Sequence, residues 1–516
     1  MSLKRPQFYP NTLQPLQIDQ ETLLKTLQEL RVAIREGVQL IHAGDPPVGE
    51  YDGRGIFSGN LGWSKSFTPD DMPSLPDFRT LARQRIPTHG PDIPLQVGRL
   101  SPLPSNSPIA ALVMRILEKA TAGETALGIS QSDIACLEEA VELALSHGPL
   151  AFYHGHDMGA DEILFGRAGL LWAIVHIRTH VFDSETRQKF LPIFEAVPEL
   201  IDVIIASGRQ GAAEYVRAHG DEDALPLMWP WHEGYYGLGA AHGMTGILCV
   251  LLACRLEELD EGTARNYLPA IAGTITGLCR VCIAHNGHLP TSIPPRESSR
   301  SSPLVQICHG SPAVLMLLAC ARRDAYLTCR YWQQEWDEAI YLASESVWEE
   351  GLLSKGGSLC HGIAGNAWPL LLLHDCFEYD QDDMDIARRN YQERQQGTDI
   401  SVTRGGVLSG DYFLSRALAM LLHSRETQPF KQSPETALND YRMPDSPYSL
   451  FEGLSGIICA WADACAVIRA RLRKMQLETD GSIADMALEN DELFEECMLQ
   501  QLGFPFLGGH GPSGLL

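Results

Sequence analysis

Residues 359–366 read Leu359-Cys-His-Gly-Ile-Ala-Gly-Asn366, and an apolar run follows at once. The phrase is a loop, a glycine, two residues, a small residue and then a helix. Small residues at such a place let a helix start press closely against neighbouring backbone. The same Gly-x-x-Gly pattern stands at Gly59/Gly62, Gly166/Gly169, Gly243/Gly246 and Gly453/Gly456, each before an apolar stretch. Gly310-Ser-Pro-Ala313 is a variant, and Ser105-Asn-Ser-Pro108 is a degenerate copy. One such tetrapeptide means little. Its recurrence at intervals of roughly fifty to a hundred residues predicts an internal repeat.

The stretches between these loops are helical in pattern. In Glu21–Ile41 the apolar residues Leu23, Leu27, Leu30, Ile34, Val38 and Ile41 return every three or four positions. Similar periodicity covers 109–117, 134–145, 169–177, 246–256, 312–321 and 411–422, and β-branched alternation is scarce. The predicted class is all-α. Six or seven repeats with like loops favour a closed α/α barrel, in which the inner helices all start near one rim. Whatever the glycine loops carry then meets at one mouth.

Composition narrows the rest. The chain has 516 residues, 45% hydrophobic and 20% charged, which suits one large globular domain. Its net charge of −25 repels phosphate backbones and anionic lipid, so nucleic acid is not an expected partner. No apolar run reaches the length of a membrane span, and residues 1–17 lack the apolar stretch of a signal peptide, so the expected location is the cytoplasm. The thirteen cysteines are too dispersed for a disulfide framework. Cys279 and Cys282 form a C-x-x-C pair that reads as helical core. Polar, Pro-rich or charged stretches at 69–104, 293–303 and 378–397 read as insertions, and 476–516 reads as an extension. The whole of 1–516 is expected to be one domain.

Two loops carry Cys-His-Gly: Cys308-His309-Gly310 and Cys360-His361-Gly362. They lie too far apart in sequence for a local zinc knuckle. They hold equivalent places in two repeats, however, so a closed barrel brings both pairs to one rim. Thiolate and imidazole are zinc ligands, and a catalytic zinc site uses three protein ligands and one open position. A third loop, Ala240-Ala-His-Gly243, puts His242 in the register of His309 and His361. From its residue type, His242 is either a ligand or a general acid/base.

These residues sit in phrases that resemble the eukaryotic lanthionine synthetase C-like family: Trp231-His-Glu-Gly-Tyr-Tyr-Gly-Leu-Gly-Ala-Ala-His-Gly243, Val305-Gln-Ile-Cys-His-Gly310, Leu359-Cys-His-Gly-Ile-Ala-Gly-Asn366 and Ser449-Leu-Phe-Glu-Gly-Leu-Ser-Gly456. Weaker phrases follow in the expected order, among them Glu162-Ile-Leu-Phe-Gly-Arg-Ala-Gly169. The resemblance implies a toroid of two concentric helical layers with seven repeats. It implies Zn²⁺ held by Cys308, Cys360 and His361, with His309 behind the ligands. It makes His242 the acid/base, for which Glu162 or Asp161 is a candidate orienting carboxylate. It marks Lys355 and Arg442 as glutathione-binding, and more weakly Arg5. The implied reaction is zinc-dependent addition of a thiol, glutathione, to dehydroalanine or dehydrobutyrine residues of peptides or proteins. The alternative is a zinc- and glutathione-binding scaffold without turnover. The sequence departs from the family pattern in the second repeat loop, Ser105-Asn-Ser-Pro108, and in the length of its insertions.

Overall fold

A computed structural model describes residues 6–46, 55–58, 78–90, 93–121, 129–153, 155–180, 182–232, 234–262, 264–295, 302–394, 408–431, 440–481 and 488–506. The described helices are, in chain order, α1 (Gln20–Gly44), α2 (Phe78–Arg83), α3 (Pro108–Thr121), α4 (Gln131–Ser146), α5 (Arg167–Arg178), α6 (Ser184–Glu195), α7 (Val197–His219), α8 (Met244–Leu252), α9 (Leu256–Leu259), α10 (Leu268–Ala284), α11 (Ser311–Arg323), α12 (Ala325–Tyr331), α13 (Gln334–Glu350), α14 (Ile363–Glu378), α15 (Gln381–Arg394), α16 (Gly410–Ser424), α17 (Leu454–Thr479) and α18 (Glu492–Leu499). Two short antiparallel pairs complete them: β1 (Leu150–Tyr153) with β2 (His156–Gly159), and β3 (Tyr236–Gly237) with β4 (Ser292–Ile293).

The helices fall into two layers for a reason visible in their burial. Every residue of α14 from Ile363 to Phe377 is buried, and α5, α8 and α11 are buried almost all round. A helix apolar on all faces must lie inside. The amphipathic α1 instead buries one stripe, from Leu23 through Ile34 to Ile41. The inner helices α3, α5, α8, α11, α14 and α17 pack in succession. Outer helices back them, α4 on α3, α7 on α5, α13 on α11, α16 on α14 and α1 on α17.

The expected glycine grammar is met at the inner helix starts. Gly166, Gly243, Gly310, Gly362 and Gly453 are the N-caps of α5, α8, α11, α14 and α17. In α5, α8, α14 and α17 the loop folds back so that a carbonyl six residues upstream presses on the third helical residue, a glycine. A Cβ at Gly365 would stand 1.7 Å from the Leu359 carbonyl oxygen, and one at Gly246 would stand 1.9 Å from that of Ala240. In the degenerate second loop Ser107 does the capping, taking the Ile109 N–H at 3.2 Å and donating to the Ser101 carbonyl at 2.8 Å. Gly59 and Gly62 lie outside the described residues.

Backbone hydrogen bonds join the loops into a closed ring. Phe57 N–H reaches Leu103 O (3.0 Å), and Leu100 N–H reaches Phe165 O (3.1 Å). Gly159 N–H reaches Trp231 O (2.7 Å), and Ala240 N–H reaches Ile307 O (3.2 Å). Cys308 N–H reaches Cys360 O (3.3 Å), Cys360 N–H reaches Phe451 O (2.8 Å), and Phe451 N–H returns to Phe57 O (3.2 Å). Seven loops therefore form one rim, and the architecture is an α/α toroid.

Two expected insertions turn out to be partly structural. Residues 100–104, placed at the end of the 69–104 insertion, belong to the rim: Leu100 and Leu103 are buried and bonded to neighbouring loops. From the 476–516 extension, Gln501–Phe506 runs into the core, where Gln501, Leu502, Phe504 and Phe506 are buried. Of the charged 378–397 stretch, Gln381–Arg394 forms α15, packed on α12; residues 395–397, with 69–77, 296–301 and 507–516, lie outside the described residues.

Candidate metal centre

The seven loops present equivalent positions to the mouth. Counting back five residues from the third residue of α5, α8, α11, α14 and α17 gives Leu164, Ala241, Cys308, Cys360 and Phe451. Counting back four gives Phe165, His242, His309, His361 and Glu452. Two successive repeats thus carry a thiol where others carry an apolar side chain, and three carry an imidazole beside it. Because Cys308 and Cys360 are on adjoining loops tied by a backbone bond, their sulfurs meet. Ligand atoms of Cys308, Cys360 and His361 all lie within 4.8 Å of one another.

The electrostatics of this cluster fit a cation. The Cys308 thiol is pushed well down, first by the hydrogen bond from Cys360, then by His361 and His309, while burial opposes them. Cys360 is pushed well up by its bond to Cys308 and by burial; Lys355 pulls the other way. One proton leaves this buried pair easily and the second does not, unless a positive ion takes its place. Two thiols and an imidazole are also the donor types that tetrahedral zinc accepts. The Gln306 amide donates to Cys308 Sγ at 3.1 Å from a buried position, steadying the thiolate.

His242 stands next to this cluster and outside it. Its Nδ1 lies 3.3 Å from Glu162 Oε2. That carboxylate is itself fixed, accepting the N–H groups of Leu164 (2.9 Å) and Phe165 (2.7 Å). Trp231 stacks on the His242 ring at 4.6 Å, and His309 lies beyond at 5.8 Å. Burial pulls the imidazole down, but Glu162 and the Cys308 sulfur outweigh it, and the net shift is upward. Glu162, not Asp161, is therefore the carboxylate on His242. Asp161 turns away to the fully buried Arg167, at 2.6 Å, and burial holds its carboxyl up at about 6. The two neighbours face opposite sides of the loop, which spacing alone does not decide.

Lys355 and Arg442 are exposed and sit on adjoining backbone, Arg442 N–H donating to Ser354 O at 2.9 Å. The Arg442 guanidinium pairs with Asp445. The segment after Arg5 runs beside them: Ser354 N–H bonds Gln7 O at 3.1 Å and Tyr9 N–H bonds Leu352 O at 2.9 Å. Arg5 itself lies outside the described residues. Gln306, Trp231 and the 501–506 strap had no role in the sequence reading. Gln306 and Trp231 fall within the phrases that carried the resemblance, but neither residue type points to a metal site.

A closed ring of helix-initiating loops around a Cys/Cys/His cluster defines a metal-capable α/α toroid. The sequence profile of lanthionine synthetase C-like proteins matches residues 127–416, and the chain belongs to that family. Glutathione S-transferase LANCL1 of Danio rerio is 26% identical over 363 residues, 70% of this chain and 70% of its own. LanC-like protein GCL1 of Arabidopsis thaliana is 29% identical over 336 residues, 65% of this chain and 61% of its own. Among solved structures, nisin cyclase aligns over 64% of this chain and 94% of its own, with 14% identity and a TM-score of 0.27. Among the described residues no helix is long and apolar enough to cross a membrane.

Proposed function

We propose that the protein adds a thiol, glutathione, to dehydroalanine and dehydrobutyrine residues of peptides or proteins, with one Zn²⁺ held by Cys308, Cys360 and His361. The observation that carries this reading is the convergence of those three ligand atoms within 4.8 Å, beside a histidine that is not one of them. When bound, zinc keeps a substrate thiol as its thiolate at neutral pH. Addition then forms one S–Cβ bond, moves the alkene electron pair toward the α-carbon and its carbonyl, and requires one proton at the α-carbon. His242 supplies that proton, its ring stacked on Trp231 and its pKa raised by the Glu162 carboxylate. Lys355 and Arg442 offer cations for the carboxylates of glutathione. The name of the zebrafish relative, a glutathione S-transferase, agrees with the thiol.

A scaffold that binds zinc and glutathione needs no proton donor, so the two readings differ at His242. Binding is tested first. Metal analysis should find one zinc per chain in the wild type and none in Cys360→Ala. Calorimetric titration with glutathione should show Arg442→Ala binding more weakly; equal affinity would give Arg442 a purely structural part with Asp445. Turnover is tested by mass detection of the glutathione adduct of a dehydroalanine peptide.

A further inference from the structure

Beside the two thiols lies a recess of about 20 Å³. All seven rim loops contribute to its wall, with Leu164, Cys308, Cys360 and Phe451 among them, and its remaining face is made by Pro505 and Phe506. Apart from the thiols the lining is apolar. The volume suits a methyl-sized group, since a single water needs roughly 10–15 Å³ on this measure.

The strap that brings Pro505 and Phe506 here is fastened along its length. The buried Asp463 carboxylate accepts the Leu502 N–H at 2.6 Å, and also the Trp368 indole at 2.5 Å. The Gln501 side chain is fully buried near the buried Asp375. Phe504 packs on Trp368 at 5.2 Å, and Phe506 stacks on Trp172 of α5 at 4.0 Å. Phe506 takes φ 64°, a left-handed conformation that an aromatic residue adopts only where its surroundings dictate it. The Asp463 carboxylate and the two aromatic contacts thus hold the Phe506 ring at the recess beside the thiols.

We propose that this strap sets acceptor specificity, with Phe506 and Pro505 closing the recess that receives the β-substituent of the dehydroamino acid. The inference rests on the proposed addition reaction. The β-carbon must meet the thiolate sulfur, so a substituent on that carbon has to lie close to Cys308 and Cys360. A hydrogen or methyl fits the recess; a longer alkyl group meets the Phe506 ring.

The test measures glutathione addition to three peptides that differ only in the β-substituent: hydrogen, methyl and ethyl. Phe506→Ala should raise the ethyl-to-methyl ratio of kcat/KM about tenfold or more, the usual effect of one methylene in an apolar pocket. Phe506→Trp should lower the methyl-to-hydrogen ratio by a similar factor. If the alanine variant does not fold, Phe506→Leu takes its place and should move the same ratio in the same direction. Ratios equal to wild type in variants that keep their zinc would overturn the strap's role and leave the reaction standing. Absence of addition by the wild type to all three peptides would overturn both.

Discussion

His242 and Glu162 make a coupled pair whose parts can be separated by substitution. His242→Asn should keep zinc and glutathione but slow addition roughly a hundredfold or more, the usual consequence of losing a general acid. Retained zinc measured in the same preparation shows that the residue is not a ligand; lost zinc would show that it is. Glu162→Gln should act differently. The carboxylate raises the His242 pKa, so its removal lowers it. A general acid works only while protonated, so the fall of rate with rising pH should begin at a lower pH in Glu162→Gln than in wild type. An unshifted profile would reduce Glu162 to a brace for Leu164 and Phe165. That Cys308, Cys360, His361 and His242 share one rim was legible in the sequence because repeat register and residue type coincide there; which of them are ligands came from the family resemblance. Glu162 over Asp161 was not, since adjacent carboxylates differ only in the direction that the loop turns them.

The loops and helix starts test the repeat itself. At Gly365 an added Cβ meets a backbone carbonyl, which cannot swing aside as a side chain can. Gly365→Ala should therefore shift the 359–362 loop and cost about 1–3 kcal/mol, the range for overpacking. Zinc affinity should fall with it, because Cys360 and His361 lie in that loop. In the fifth repeat the matching residue is already Ala313, so Ala313→Gly should cost only about 1 kcal/mol of helix propensity and leave zinc in place. Thermal melts with metal analysis check both; a Gly365→Ala melt equal to wild type would remove the close-approach argument. Helices α1, α3, α4, α5, α11 and α16 were readable from three- and four-residue periodicity. The buried 501–506 strap was not, because its anchor is a single carboxylate on α17, Asp463, distant in sequence and unmarked by any period.

Closure of the ring also escapes the sequence, since it rests on backbone bonds between loops far apart in the chain. Its interior gives the fold a predictable acid weakness. His374 is fully buried in α14, its Nδ1 2.9 Å from Gly410 O, and burial pushes it down to about 4 from 6.5. His147, beside Arg167, is likewise held at about 4, mainly by burial. Each folded value lies below the free value, so protonation favours the unfolded chain. Their contribution is complete above pH 6.5 and is lost as the pH falls toward about 4. Melting temperature should drop across that window, and less steeply in His374→Gln; equal slopes would exclude His374 as a source. What we propose for the rim is a thiol-addition site with its own proton donor. It is tested most directly by the rate at which zinc-loaded wild type converts a dehydroalanine peptide to its glutathione adduct, followed by mass against His242→Asn under the same conditions. Adduct formation by the wild type should run well above background, and the variant should be roughly a hundredfold slower. Equal rates with zinc retained in both, or a wild-type rate no faster than the uncatalysed reaction, would contradict it.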